Sequence, residues 1–380
     1  MARYPKLKKG VVNMIKVNGR ELKKALSNAG KFIPRKSPLP ALYTVKFTTH
    51  EGKLEIVATD IRDYFVTEID AVADAEESFC VSYNDLKALE YTDDVVFNLH
   101  GDKIDIQTGN ITTTLSVINP REFPILSTLG DVVWQYTFDA RQFADALTKA
   151  LMCVAEDETC GVLHHILVEP CEFGLFVVST DTRQLLVQLV QRLSGTGHII
   201  DKKSLVLSHA TAKRLAKVIR DGSVVVTGYS NNNIELRTNA TRIVSLTEKD
   251  NYPDWRRIRR ENSSVVFTLN ASDLAVVNSF PIPKEERMPR IYVTLDIQGS
   301  KMMLEYRSED EQVASRAVVD ISVVHSGIEK DTFAMNAKFL HNIAKLFGGE
   351  VVTVHYENNH SPLFIVASMR YVVMPTYMDT

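Results

Sequence analysis

The strongest constraint on the fold of this chain is a faint internal repeat, because a repeat dictates how many times one structural unit must be built. The segments Val17-Asn18-Gly19-x-x-Leu22-x-x-Ala25-Leu26, Phe138-Asp139-Ala140-x-x-Phe143-x-x-Ala146-Leu147 and Leu269-Asn270-Ala271-x-x-Leu274-x-x-Val277 share one pattern. In each, an apolar residue precedes an Asn or Asp, whose side-chain oxygen accepts a hydrogen bond from an orphaned first-turn amide. The apolar residues that follow at i, i+3 and i+4 form one stripe on a helix. The caps are 121 and 131 residues apart.

A second series runs inside each unit: Val81-Ser82-x-x-x-Leu86-x-x-Leu89, Leu207-Ser208-x-x-x-Ala212-x-x-Leu215 and Met335-Asn336-x-x-x-Leu340-x-x-Ile343, spaced by 126 and 128 residues. Between the helices of the first unit, alternating patterns predict strands over 43–48, 54–59, 65–69, 95–99, 103–107 and 112–117, punctuated by turns such as His50-Glu51-Gly52. Val57-Ala58-Thr59-Asp60 recurs as Val178-Ser179-Thr180-Asp181, and Glu122-Phe123-Pro124 as Asn251-Tyr252-Pro253. The expected fold is α+β, in three repeated domains of two helices plus antiparallel sheets each. Their boundaries are 14–130, 131–260 and 261–380, after a basic N-terminal extension over 1–13.

Few chemistries fit this frame. The composition, 45% hydrophobic and 24% charged, is that of a globular chain with a filled core, and no apolar run is long enough to span a membrane. Four cysteines in so long a chain, with no secretory leader in view, predict a reducing, cytoplasmic setting. Ser194-Gly195-Thr196-Gly197 lacks the lysine of a phosphate-binding loop. Cys153, Cys160, His164, His165 and Cys171 are the densest set of zinc-capable donors, which keeps a zinc-dependent hydrolase as an alternative. Their spacing is poor, however, and they read as buried cysteines and a histidine pair facing opposite sides of a strand. Asp60 and Asp181 fall at equivalent repeat positions, so they serve turns and do not form a carboxylate pair. No cofactor and no catalytic residue is expected.

The charge is informative only once it is divided. The whole chain carries −3, but the six helical segments carry +8 and the remainder −11. Helices gathered on one side of continuous sheets would present a cationic surface, which attracts phosphates without reading bases. A non-encircling nucleic-acid binding protein would satisfy this pattern as well.

The chain resembles the bacterial DNA polymerase III beta subunit (sliding clamp) family over nearly its whole length. The resemblance rests on Leu39-Pro40-Ala41-Leu42, Ala58-Thr59-Asp60, Glu122-Phe123-Pro124, Val178-Ser179-Thr180-Asp181, Tyr252-Pro253-Asp254-Trp255-Arg256-Arg257-Ile258 and Tyr371-Val372-Val373-Met374-Pro375. It implies a ring-forming clamp, a head-to-tail homodimer around double-stranded DNA, without catalytic activity of its own. It further implies a docking site for peptides of the polymerase III core, the clamp loader and other proteins with clamp-binding motifs. That site would comprise Leu163, Thr180, Leu185, Pro253, Arg257, Ile258, Asn336, Phe339, Pro362, Val372, Val373, Met374 and Pro375. Arg20, Lys23, Lys24, Lys36, Lys213, Arg214, Lys217 and Lys338 would face DNA. Ile104 and Ile106 would meet Phe280 and Ile282 of the partner at the dimer interface. After Thr180-Asp181 the family usually has Gly or Ser, then His or Tyr, then Arg; here stand Thr182, Arg183 and Gln184, and Cys160 replaces a frequent Arg.

Overall fold

All six expected caps form. In the computed structural model, which describes residues 13–91, 94–193, 197–259, 262–283, 285–286, 288–308 and 313–376, each cap side chain accepts a first-turn amide. Asn18 caps α1 (Gly19–Ala29), Ser82 caps α2 (Tyr83–Lys87) and Asp139 caps α3 (Ala140–Ala150). Ser208 caps α4 (His209–Val218) and Asn336 caps α5 (Ala337–Phe347). The sixth, Asn270, caps Ala271–Ser279, which is a 3-10 helix and not the expected α-helix. Ser272, Asp273, Val276, Val277, Asn278 and Ser279 are all poor α-helix formers, and Pro281 stops the segment. The expected extension over 1–13 lies outside the described residues except for Asn13, which opens a strand.

The chain divides into two compact units. Met1–Ala144, Arg192–Leu205 and Arg214–Glu248 make the first; Asp145–Gln191, Val206–Lys213 and Lys249–Thr380 make the second. The first contains a 13-stranded sheet whose main path runs through Val132–Asp139, Ser223–Tyr229, Asn233–Arg237, Thr241–Leu246, Asp63–Ala73, Asn13–Asn18, Asp94–His100 and Lys103–Thr108 to Ile111–Ser116. The second contains a nine-stranded sheet, in which Gln184–Gln191 pairs with Arg370–Val373, and a four-stranded sheet. Strands of different repeats thus pair inside both units: Thr241–Leu246 on Asp63–Ala73 in one, Arg370–Val373 on Gln184–Gln191 in the other.

Period-two burial along the strands fills each core. In Lys103–Thr108 the side chains of Ile104, Ile106 and Thr108 turn inward while Lys103 and Gln107 stay wet. Phe47, Phe79 and Phe97 pack beneath α1, with Phe47 and Phe79 stacked at 5.2 Å. Among the described residues no helix is long and apolar enough to cross a membrane.

The same turn is built twice. Thr59 and Thr180 each donate a hydroxyl hydrogen bond to the carbonyl four residues on, and each accepts from the amide two residues on. Asp60 and Asp181 each accept two amides through Oδ1, which is the turn role expected of them. The geometry forces one residue per turn into the left-handed region, Ile61 at φ 78° and Thr182 at φ 76°.

Candidate functional site

In the second unit the Thr180 turn leads into the strand Gln184–Gln191, where Leu185 lies opposite Val372 and Gln184 opposite Val373. Leu185, Val187, Val372, Phe364, Leu167, Val178, Val206 and Trp255 form one apolar cluster, with Val162, Phe176 and Tyr252 packed at its margin. Pro362 directly precedes Leu363, which pairs with Val373. Met374, 37% exposed, is anchored through its amide to the Arg183 carbonyl at 2.8 Å, and Ile258 is 39% exposed beside the Trp255 turn. Leu163 is half-buried next to Val162, and its carbonyl accepts the Ala155 amide. An apolar floor thus carries two exposed apolar side chains and the half-buried Pro362 and Pro375 at its rim, a surface suited to short hydrophobic anchors.

Polar groups fix this floor. Thr180 is held by its amide to the Tyr252 hydroxyl at 3.1 Å, and Tyr252 donates in turn to the His165 carbonyl. Gln184, 2% exposed, has both ends of its amide satisfied. Its Nε2 donates to Asp181 Oδ2 at 2.8 Å, while its Oε1 accepts from Tyr371 at 2.7 Å and from Asn342 of α5 at 3.1 Å. Burial pushes the Tyr371 and Tyr252 phenols well up, so both remain protonated donors. Lys338 pairs with Glu156 and so joins the start of α5 to the segment before Glu158–His164. Phe339 is buried within α5 and Asn336 is spent on its cap, while Arg257 is exposed and pairs with Asp254.

Several expectations need correction. Ile104 and Ile106, at 0% and 1% exposure, belong to the core of their own unit and offer no surface to a partner. The sheet edge is the next strand, Ile111–Ser116, with Ile111 62% exposed. Phe280 and Ile282 are half-exposed after the 3-10 segment. Arg214 does not stand free on the polar face of α4: its Nη1 lies 2.5 Å from both Asp60 and Asp63, the latter fully buried. His164 ends a 3-10 segment and does not lie in a strand, and Cys160 is exposed. Among the described residues no group of three or more His, Cys, Asp or Glu side chains could hold a metal.

The remaining basic residues are accessible. Arg20, Lys23 and Lys24 are exposed on α1, Lys36 beyond it, Lys213 and Lys217 on α4 and Lys338 on α5. Lys31, not among the sequence expectations, lies close enough to Lys217 and Arg220 that burial and these two charges lower its pKa. The ends of α1 and α4 thus concentrate positive charge within the first unit. Trp255, Gln184, Asn342 and Tyr371 are the site residues that sequence reasoning passed over. Trp255 stands inside the Tyr-Pro-Asp-Trp-Arg-Arg run, whereas nothing local marks Asn342.

Residues 14–127 match the family model of the DNA polymerase III beta subunit, N-terminal domain. A curated relative, the Beta sliding clamp of Rickettsia bellii (strain RML369-C), is 20% identical over 370 residues, spanning 92% of this chain and 94% of the relative. The DNA polymerase sliding clamp from Bacillus subtilis superposes with a TM-score of 0.86 at 13% identity, over 97% of this chain and 100% of its own. The Helicobacter pylori beta clamp bound to a DNA ligase peptide superposes with a TM-score of 0.83 at 19% identity, over 96% and 100%.

Proposed function

We propose that this chain, a homologue of the bacterial beta sliding clamps that carries their fold, encircles duplex DNA and tethers the replicative polymerase for processive synthesis. The observation that carries this reading is the clamp fold itself, matched along 97% of the chain in one comparison. The division of charge supports it. Arg20, Lys23, Lys24, Lys36, Lys213, Lys217 and Lys338, joined by Lys31 and Arg220, supply non-specific phosphate contacts that permit sliding. Arg214 is set aside because it is half-buried between Asp60 and the fully buried Asp63, whereas the Lys338–Glu156 pair is exposed. The three repeats act as three clamp domains, and two copies close head to tail, the edge Ile111–Ser116 of one facing the region of Phe280 and Ile282 of the other.

The apolar floor around Leu185, Val372 and Met374 is then the docking site for peptides of the polymerase III core, the clamp loader and other clamp-binding proteins. A relative bound to a DNA ligase peptide supports this assignment. Tethering raises the effective concentration of the polymerase at the primer end, so the chain needs no chemistry of its own. Clamp-loader-dependent loading onto nicked circular DNA, followed by linearisation, tests the reading. Retention on the circle that ends on linearisation is expected; equal retention on linear DNA would overturn encirclement.

A further inference from the structure

Among the described residues of the candidate groove, Arg370 is a half-buried cation with no carboxylate beside it. Arg370 precedes Val372 by two residues, and the register of Val187 with Arg370 and Leu185 with Val372 places Arg370 on the apolar side of the strand. Its guanidinium carbon lies 5.2 Å from the centre of the Trp255 ring, over which Arg256 also sits, at 4.2 Å. The two arginines differ in one respect. Arg256 is forked onto Glu169 at 2.9 and 2.5 Å, and the same carboxylate accepts the Trp255 indole N–H at 3.2 Å. Glu169 is therefore engaged by both neighbours. Arg370 Nε and Nη2 are shielded from water and have no hydrogen-bond partner among the described residues. Burial and the adjacent Arg256 both push its pKa down. Buried, unmade hydrogen bonds on a cation are costly, and a ring contact offsets only part of that cost.

We infer that Arg370 sets the specificity of this groove and that its ligand is the carboxylate of an acidic side chain on the docking peptide. The inference rests on the peptide-docking reading above. A planar guanidinium presents two parallel N–H donors to a carboxylate. Such a partner satisfies the orphaned donors and also cancels the second positive charge on Trp255; a neutral acceptor does only the first. Pairing draws Arg370 off the indole, so docking alters the surroundings of Trp255.

Fluorescence anisotropy on the full chain tests this with fluorescein-labelled, C-terminally amidated nonapeptides that carry one Leu and one Phe anchor and place Glu or Gln at each other position in turn. At one position the Glu peptide is expected to bind roughly tenfold tighter than its Gln twin. That preference disappears in Arg370→Gln, where the Glu peptide loses more affinity than the Gln peptide, and Arg370→Lys restores only part of it. Docking of the Glu peptide also changes an indole emission that Trp255→Phe removes. Should Arg370→Gln fail to fold by circular dichroism, the lysine variant and the emission change decide. Equal binding of Glu and Gln peptides at every position, or a preference that survives Arg370→Gln, overturns the inference and leaves the docking site intact. A preference found only with free C-termini assigns Arg370 to a terminal carboxylate and overturns the acidic side chain. Failure of every peptide to bind overturns the docking reading, and this inference with it.

Discussion

Asn342 on α5 donates to the buried Oε1 of Gln184 across 3.1 Å, and so ties a helix of the third repeat to a turn of the second. Arg214 makes the corresponding reach from α4 to Asp60 and Asp63 in the turn of the first. Each stands six residues after its cap, Asn336 or Ser208. Each turn therefore receives a helix from the repeat that follows it, which explains why the middle repeat is shared between two compact units.

Removing these latches has unequal consequences. Arg214→Ala strands two carboxylates, one fully buried, and is expected to destabilise the first unit by about 3–5 kcal/mol. Asn342→Ala leaves Gln184 Oε1 still bonded to Tyr371, so about 1–2 kcal/mol is expected in the second. Urea unfolding followed by Trp134 emission for the first unit and Trp255 emission for the second checks both. An Arg214→Ala effect no larger than that of Asn342→Ala would contradict the pairing.

Two exposed β-branched residues sit in the left-handed region, Ile61 at φ 78° and Thr182 at φ 76°. An L side chain there costs about 1–2 kcal/mol, partly offset by the greater freedom glycine gains in the unfolded chain. Ile61→Gly and Thr182→Gly are each expected to raise stability by about 0.5–1 kcal/mol. Higher midpoints in thermal scans check this; lower ones refute it.

Acid acts on the two units in different windows. Burial, then the nearby His164, Lys213 and His165, depresses the His209 pKa below 6.5, with Glu158 opposing. The folded second unit thus prefers the neutral ring, and stability falls as pH drops through 6.5 toward the lowered value. Glu235 in the first unit is raised by burial, but hydrogen bonds and charge from Arg242 and Arg237 outweigh this and leave it lowered. Its contribution persists until the pH falls below the ordinary 4.5. Denaturation of wild type and His209→Gln at pH 7.5 and 5.5 should differ in slope, with the variant flatter; parallel losses would remove His209 as the cause.

Lys23→Glu, Lys24→Glu and Lys213→Glu together are expected to weaken DNA association and to lessen its salt dependence by about three counterions, without unfolding. Filter binding across a salt series measures this. An unchanged slope would take these lysines off the DNA face.

The helix starts were legible in the sequence because a cap is a local device, one side chain serving an amide two or three positions on. The strands were legible for the same reason, through alternation. What escaped is what depends on distance along the chain. Ile104 and Ile106 alternate identically whether they face their own core or another molecule. Arg214 reads as a solvated helix charge, since its partner Asp60 is 154 residues away. Gln184 reads as a departure from a motif, yet it is the centre of a closed polar network that no neighbouring residue announces.

The helix-to-turn latch also gives the chain a direction. In α2 the sixth position after the cap is Ala88, which has no polar group to extend. Any contact that continues the pattern from α2 onto a second molecule must therefore do without the polar bolt that locks the two seams inside the chain.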